Sequence, residues 1–91
     1  MDKKIMNVKI ESEHGMPAGK SEIILEQLKK YIGTEYNGDR IKNEMQIFGE
    51  QKDILGVGWG YLYTVLPAKN NVGSFRIYSA YANVTYVIEL E

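Results

Sequence analysis

Residues 74–90 read SFRIYSAYANVTYVIEL, and their apolar side chains alternate with other residues in two separate phases. Phe75 and Ile77 occupy odd positions, whereas the later apolar residues occupy even positions, namely Val84, Tyr86, Ile88 and Leu90. Alternation with a period of two is typical of a half-buried β-strand. Because the phase changes, residues 79–83 must contain a bulge or a turn. The end of the chain therefore predicts two antiparallel strands, over residues 74–79 and 84–90.

The region before these strands has the same sheet-like composition. Residues 53–91 carry only five of the 23 charged side chains but seven of the ten aromatic residues. A long strand is predicted over residues 54–66, ended by Pro67 and by the polar turn at residues 69–73. The C-terminal part of the chain is therefore expected to form three antiparallel strands.

The first half of the chain predicts a further strand and a helix. Met6, Val8 and Ile10 alternate with polar residues, which indicates a strand over residues 6–10. A helix is predicted over residues 22–32, with Ser21 as its N-cap and Gly33 just after its last turn. Its buried stripe should consist of the apolar residues at helical spacing, which are Ile24, Leu25, Leu28 and Ile32.

Residues 34–53 fit more than one pattern. Asn37-Gly38 predicts a tight turn. Ile41, Met45 and Phe48 have the spacing of a helical stripe, although the same segment also fits a strand, and a short helix over residues 39–48 is favoured. We therefore expect one α+β domain over residues 1–91, with a single antiparallel sheet of about four strands and one main helix packed on one face.

Residues 55–63 read LGVGWGYLY, which is the most unusual stretch of the chain. Successive strand side chains point to opposite sides, so one face would carry Gly56, Gly58 and Gly60. The other face would carry Trp59, Tyr61 and Tyr63. Trp and Tyr are enriched at the centres of protein interfaces, which predicts that these three residues bind a protein partner.

Two other interpretations of this stretch remain open. The aromatic side chains can fill the core while the glycines curve the sheet or let the helix approach closely. Alternatively, a small molecule can bind in a concavity over Gly56, Gly58 and Gly60.

Composition excludes several classes of protein. The chain has no cysteine, which excludes disulfides, thiol nucleophiles and cysteine-based metal sites. A net charge of −1, with only Lys69 and Arg76 as basic residues in the aromatic half, does not favour nucleic-acid binding. No apolar run reaches the ~18 residues of a membrane span and no signal peptide is recognisable, so a cytoplasmic location is expected.

Two short motifs suggest chemistry, and neither is complete. Ala18-Gly19-Lys20-Ser21 matches the end of a phosphate-binding loop, but the glycine required five residues before Gly19 is His14. Glu11, Glu13 and His14 offer metal ligands without a second cluster to close a site. No catalytic residue, cofactor or metal site is therefore predicted.

The expected function is that of a small non-enzymatic interaction protein that binds a protein partner. A homodimer or larger oligomer is expected, because the chain is short and one helix can cover only one face of the sheet. The abundance of Lys, Ile, Asn and Tyr indicates an AT-rich genome, which suits an accessory or inhibitory protein of a bacterial mobile element or phage.

Overall fold

The computed structural model describes residues 3–51 and 60–91. These residues form strands β1 (Ile5–His14), β2 (Leu62–Lys69), β3 (Val72–Tyr78) and β4 (Asn83–Leu90), with helices α1 (Lys20–Leu28) and α2 (Gly38–Gln51). A 3₁₀ turn, Lys29–Tyr31, follows α1 directly. The expected α+β class with one antiparallel four-stranded sheet is confirmed, and the segment that fitted two patterns is a helix of 14 residues.

The strands lie in the order β1-β4-β3-β2, and every neighbouring pair is antiparallel. Strands β2, β3 and β4 follow one another as a meander, and β4 then pairs with β1. As a result, β1 and β2 form opposite edges of the sheet. The segment between them carries both helices across one face, with α1 packed on β1 and α2 packed on β2.

The core lies between this face and the helices. The sheet contributes the fully buried residues Phe75 and Ile77 of β3 and Val84, Tyr86 and Ile88 of β4. The helices contribute Ile24, Leu28, Ile41 and Met45, each no more than 2% exposed. The odd phase predicted for β3 and the even phase predicted for β4 are therefore confirmed, because both sets point toward the helices.

Two short turns connect β2, β3 and β4. Asn70 and Asn71 both have positive φ angles, of 53° and 62°, which is the conformation of the two-residue hairpin turn that Asn tolerates best after Gly. Between β3 and β4, the Ser79 N–H donates a 2.8 Å hydrogen bond to the Ala82 carbonyl. This second turn accounts for the change in apolar phase and lies within residues 79–83, as predicted.

The start of α1 differs from the prediction. Gly19, with φ of 77°, is the N-cap, and the helix begins at Lys20. Ser21 therefore lies in the first turn, where its side chain is buried. Its predicted role as N-cap is wrong because glycine alone tolerates this left-handed conformation readily.

The end of α1 also differs. The 3₁₀ turn replaces the last helical turn that was predicted. This change of pitch places Tyr31 in the core and leaves Ile32 41% exposed. Ile24, Leu25 and Leu28 are buried as predicted, whereas Ile32 is not part of the stripe.

The two edge strands contain irregularities that the sequence pattern did not predict. The register of β1 shifts between Ile5 and Asn7, so Met6 is 58% exposed and Ile5 is buried instead. In β2, Pro67 lies within the strand rather than ending it, beside a register shift between Leu66 and Lys69. Proline is tolerated there because an edge strand has one side without a hydrogen-bonded neighbour.

The predicted strand over residues 54–66 is described only from residue 60, because residues 52–59 lie outside the described part. Gly60 has φ of 66°, which is not an extended conformation, and β2 begins at Leu62.

Candidate functional site

The sequence assigned the candidate binding residues to a strand over residues 54–66; of those the structure describes, Tyr63 lies in β2, whereas Gly60 and Tyr61 precede it. Gly56, Gly58 and Trp59 lie outside the described residues. Gly60 is exposed, and a Cβ added to it would meet nothing within 4 Å. Tyr61 and Tyr63 are partly buried against the core. The partner-binding role of these two tyrosines and the ligand-binding role of Gly60 stay predictions.

Tyr63 lies on the face of the sheet that the helices cover. Its ring centroid is 6.2 Å from that of Phe75. A Cβ added to Gly49, near the end of α2, would lie 2.7 Å from the Tyr63 hydroxyl. Burial raises the pKa of Tyr63, and the nearby Glu50 carboxylate raises it further. Tyr63 therefore fastens β2 beneath the end of α2, and only part of its ring is accessible.

The start of α2 is also fastened to β2. The side-chain oxygen of Asn37 accepts a 3.1 Å hydrogen bond from the backbone N–H of Arg40, which is N-cap geometry. The tight turn predicted at Asn37-Gly38 is therefore a helix start. The lack of a side chain at Gly38 lets the start of α2 approach β2 closely, because a Cβ at this position would lie 2.6 Å from Val65 Cγ1. A glycine near each end of α2 thus lets the helix lie directly on β2.

Tyr36 connects the loop before α2 to the two strands at this edge. Its hydroxyl donates a 3.0 Å hydrogen bond to the Leu66 carbonyl of β2. Its ring lies over Gly73 of β3, where an added Cβ would be 2.6 Å from the ring. Burial raises the pKa of Tyr36. Tyr36 therefore forms a fixed wall beside β2.

A second contact holds α2 in position from the side of α1. The Tyr31 hydroxyl donates a 2.5 Å hydrogen bond to the Glu44 carboxylate, which also accepts one from Arg40 Nε at 3.3 Å. The hydrogen bond from Tyr31 is the main reason that the pKa of Glu44 is lowered. Because Tyr31 belongs to the 3₁₀ turn after α1, this bond joins the two helices.

These contacts leave a groove of about 400 Å³ between the start of α2 and β2. Its helix side is lined by Tyr36, Asn37, Gly38, Asp39 and Lys42, and its strand side by Thr64, Val65, Leu66 and Pro67. Val65 points toward the helices, whereas Thr64 and Leu66 belong to the opposite face of the sheet. The groove therefore follows the outer edge of β2.

The edge of β2 has few of the features that prevent strand pairing. Residues 62–68 carry no charged side chain. Natural sheet edges are commonly protected by charges, proline or bulges. Here, Pro67 and the register shift beside it lie only at the far end of the strand. Within the described chain, β3 is the one strand that pairs with β2, so β2 is the edge strand on this side of the sheet.

The two incomplete motifs do not form sites in the described residues. Gly19 and Lys20 start α1, and Ser21 is buried rather than open to an anion. Glu11, Glu13 and His14 are exposed along β1. In residues 3–51 and 60–91, no three His, Asp or Glu side chains are placed to hold a metal ion. No helix of the described chain has the length and apolar character needed to cross a membrane.

No protein family, curated protein or solved structure matches this chain. The groove includes residues that sequence analysis did not identify, above all Tyr36, Asp39 and Lys42. Asn37 before a helical pattern was a usable signal for an N-cap. Nothing local in the sequence connects Tyr36 with Leu66, because the contact spans 30 positions.

Proposed function

We propose that this protein binds an extended segment of another protein along the edge of β2, so that the segment adds a fifth strand to the sheet. The observation that carries the proposal is the uncharged edge at residues 62–66 beside the groove. Addition of a strand to a sheet edge is a common mode of peptide recognition, with main-chain hydrogen bonds for affinity and side-chain pockets for specificity. The role is one of binding and needs no catalytic residue.

The groove supports this role through its fixed walls. Tyr36 is held by Leu66, and both ends of α2 are packed on β2. A preformed site avoids the cost of ordering the protein when the partner binds. The groove side of the segment is expected to carry both apolar and polar side chains, because Val65, Leu66 and Pro67 line the strand side of the groove, whereas Asn37, Asp39 and Lys42 line its helix side.

The proposed binding strand lies within the one predicted from the sequence, but its backbone rather than its aromatic side chains contacts the partner. The backbone of residues 62–66 would bind the segment, while Tyr63 keeps the strand in place beneath α2. Loss of the Tyr63 ring would then weaken binding indirectly, because β2 would no longer be held in place beneath α2.

A peptide selected from a random library displayed on phage provides a probe for this site. Hydrogen–deuterium exchange of the complex should show slower exchange at residues 62–66, because strand addition protects edge amides. Amides of β1, the opposite edge, should exchange as in the free protein. Protection confined to another surface, or failure to select any peptide, would argue against the proposal.

A pair of charge reversals tests whether the groove is the site. Lys42→Glu changes the rim of the groove, whereas Lys30→Glu changes an exposed lysine in the 3₁₀ turn outside the groove lining. For a peptide with charged flanks, the dissociation constant should change by roughly threefold to tenfold for Lys42→Glu and much less for Lys30→Glu. Equal effects would indicate a general charge effect rather than this site.

A small molecule is a second candidate for the groove. Its volume of about 400 Å³ lies within the range of small-molecule sites, and polar groups of Asn37, Asp39 and Thr64 line it. A small ligand would shift the NMR signals of these residues without protecting the edge amides of β2. The exchange experiment therefore separates the two candidates.

A further inference from the structure

The face of the sheet opposite the helices is not covered by any described residue. Antiparallel register places alternate residues of each strand on this open face, among them Leu62 and Leu66 of β2, Val72 and Arg76 of β3, and Val87 and Glu89 of β4. Leu62 and Leu66 are 58% and 61% exposed, and Val72 is 41% exposed. Its apolar side chains are concentrated on β2 and β3.

Among the described residues, the open face carries three charged side chains, of which two are paired with each other. Lys9 and Glu89 form an ion pair at 3.6 Å. The Arg76 guanidinium lies over the ring of Tyr78, 4.6 Å from its centroid. The neighbours of Arg76 on adjacent strands are the uncharged Thr64 and Thr85. The open face therefore carries a net charge of about one, that of Arg76, and it does not select a strongly acidic or strongly basic partner.

The size of the open face is sufficient for a specific interface. Four strands of about 25 Å, spaced by about 4.8 Å, cover about 500 Å² in projection. Two such faces together would bury about 1,000 Å² or more, which reaches the lower limit for a specific protein–protein interface. Two sheets pack face to face at about 10 Å, which is the arrangement of a β-sandwich.

We propose that a second copy of this chain covers the open face, so that the protein is a homodimer with its two sheets packed face to face. A twofold axis in the plane of the sheet and across the strands lays each strand over the same strand of the other copy. The apolar β2–β3 half then meets itself, and Tyr78 at one end of β3 approaches Val72 of the second copy. Thr64 and Leu66 also line the groove beside β2, so substitutions on β4 test the dimer without changing the β2 edge.

Sedimentation velocity of the wild-type protein and of lysine variants tests the dimer. The wild-type protein should sediment at twice the chain mass of 10.4 kDa at micromolar concentration. Val87→Lys places a charge on β4, away from the β2 edge, and should raise the dissociation constant of the dimer at least roughly tenfold. Leu62→Lys should also raise the dissociation constant of the dimer. Because Leu62 is already exposed, this second variant keeps the test valid if Val87→Lys fails to fold.

Ile47→Lys is the matched control, because Ile47 is a 51% exposed apolar residue of α2 rather than of the sheet. This variant should remain dimeric. A wild-type monomer would overturn the proposal. The proposal would also be overturned if neither Val87→Lys nor Leu62→Lys weakened the dimer. The same holds if Ile47→Lys weakened the dimer as much as these two variants did.

The absence of cysteine allows a direct test of geometry. A single-cysteine variant Ser74→Cys, central on the open face, should form a covalent dimer with a short bis-maleimide reagent. The variant Ile47→Cys should not. Efficient cross-linking through position 47 with none through position 74 would place the interface on the helices and refute the face-to-face arrangement.

Discussion

The hydroxyl of Tyr86 donates a 2.7 Å hydrogen bond to the carbonyl oxygen of Ser21, a residue 65 positions earlier in the chain. Both residues are buried, at 0% and 3% exposure. The bond joins the centre of β4 to the first turn of α1. It therefore sets where α1 sits on the sheet and explains why the carbonyl of Ser21 faces the core.

Tyr86→Phe should lower the free energy of unfolding by about 0.5–1.5 kcal/mol, because it removes one buried hydrogen bond while keeping the ring. Tyr81→Phe is the control, since Tyr81 is 88% exposed and should cause no measurable change. Urea denaturation followed by circular dichroism measures both. Equal midpoints for Tyr86→Phe and the wild type would mean that the bond contributes nothing to stability.

Stability should fall at alkaline pH. Burial raises the pKa of both Tyr86 and Tyr31 above the usual 10.0, and for Tyr31 the hydrogen bond to Glu44 adds to the effect. The unfolded chain then loses these protons near pH 10 while the folded chain keeps them, so the stabilisation is present below about pH 10 and is lost as pH rises further.

Urea midpoints measured between about pH 8 and about pH 11 test this dependence on tyrosine ionisation. In the double variant Tyr31→Phe/Tyr86→Phe, the decline above pH 10 should be shallower than in the wild-type protein. An unchanged slope would exclude these two groups as its cause.

Gly73→Ala should destabilise the protein by about 1–3 kcal/mol, because the new methyl group would lie 2.6 Å from the Tyr36 ring and displace it. The hydrogen bond from Tyr36 to Leu66 would be strained at the same time. In a Tyr36→Ala background the same substitution should cost much less. A double-mutant cycle by chemical denaturation measures the coupling, and additive effects would contradict the close contact.

Ile24→Ala and Leu28→Ala should each destabilise by roughly 2–4 kcal/mol through cavity formation, because both residues are almost completely buried. Ile23→Ala, in the same helix at 44% exposure, should cost clearly less. Comparable losses at all three positions would show that the effect reflects helix propensity rather than packing of the stripe.

Periodicity alone was sufficient for most of the sheet and for the α1 stripe. The alternation at Phe75 and Ile77 and at Val84 and Tyr86 determines which side chains are buried, because a strand with one buried face tolerates no other phase. The helical spacing of Ile24 and Leu28 likewise identifies the buried side of α1, because apolar residues at this spacing form one stripe along a helix. Both patterns depend only on neighbouring residues, so they are readable without any tertiary contact.

The candidate site was only partly readable from the sequence. The strand that carries Tyr63 was identified, but the groove beside it was not. Its walls depend on the contacts of Tyr36 with Leu66 and Gly73. These contacts join residues far apart in the chain, and no local spacing encodes them.

The sequence by itself determined the phases of β3 and β4, the single sheet and the absence of cysteine chemistry, because these depend on local pattern and composition. Only the tertiary structure decided that β1 and β2 are the two edges, that both helices lie on one face, and that Pro67 lies within β2. The physical reason is that strand order and helix placement arise from long-range packing. A single strand has the same pattern of alternation at the edge of a sheet as at its centre, whereas its free hydrogen-bonding groups depend on which strands pair beside it.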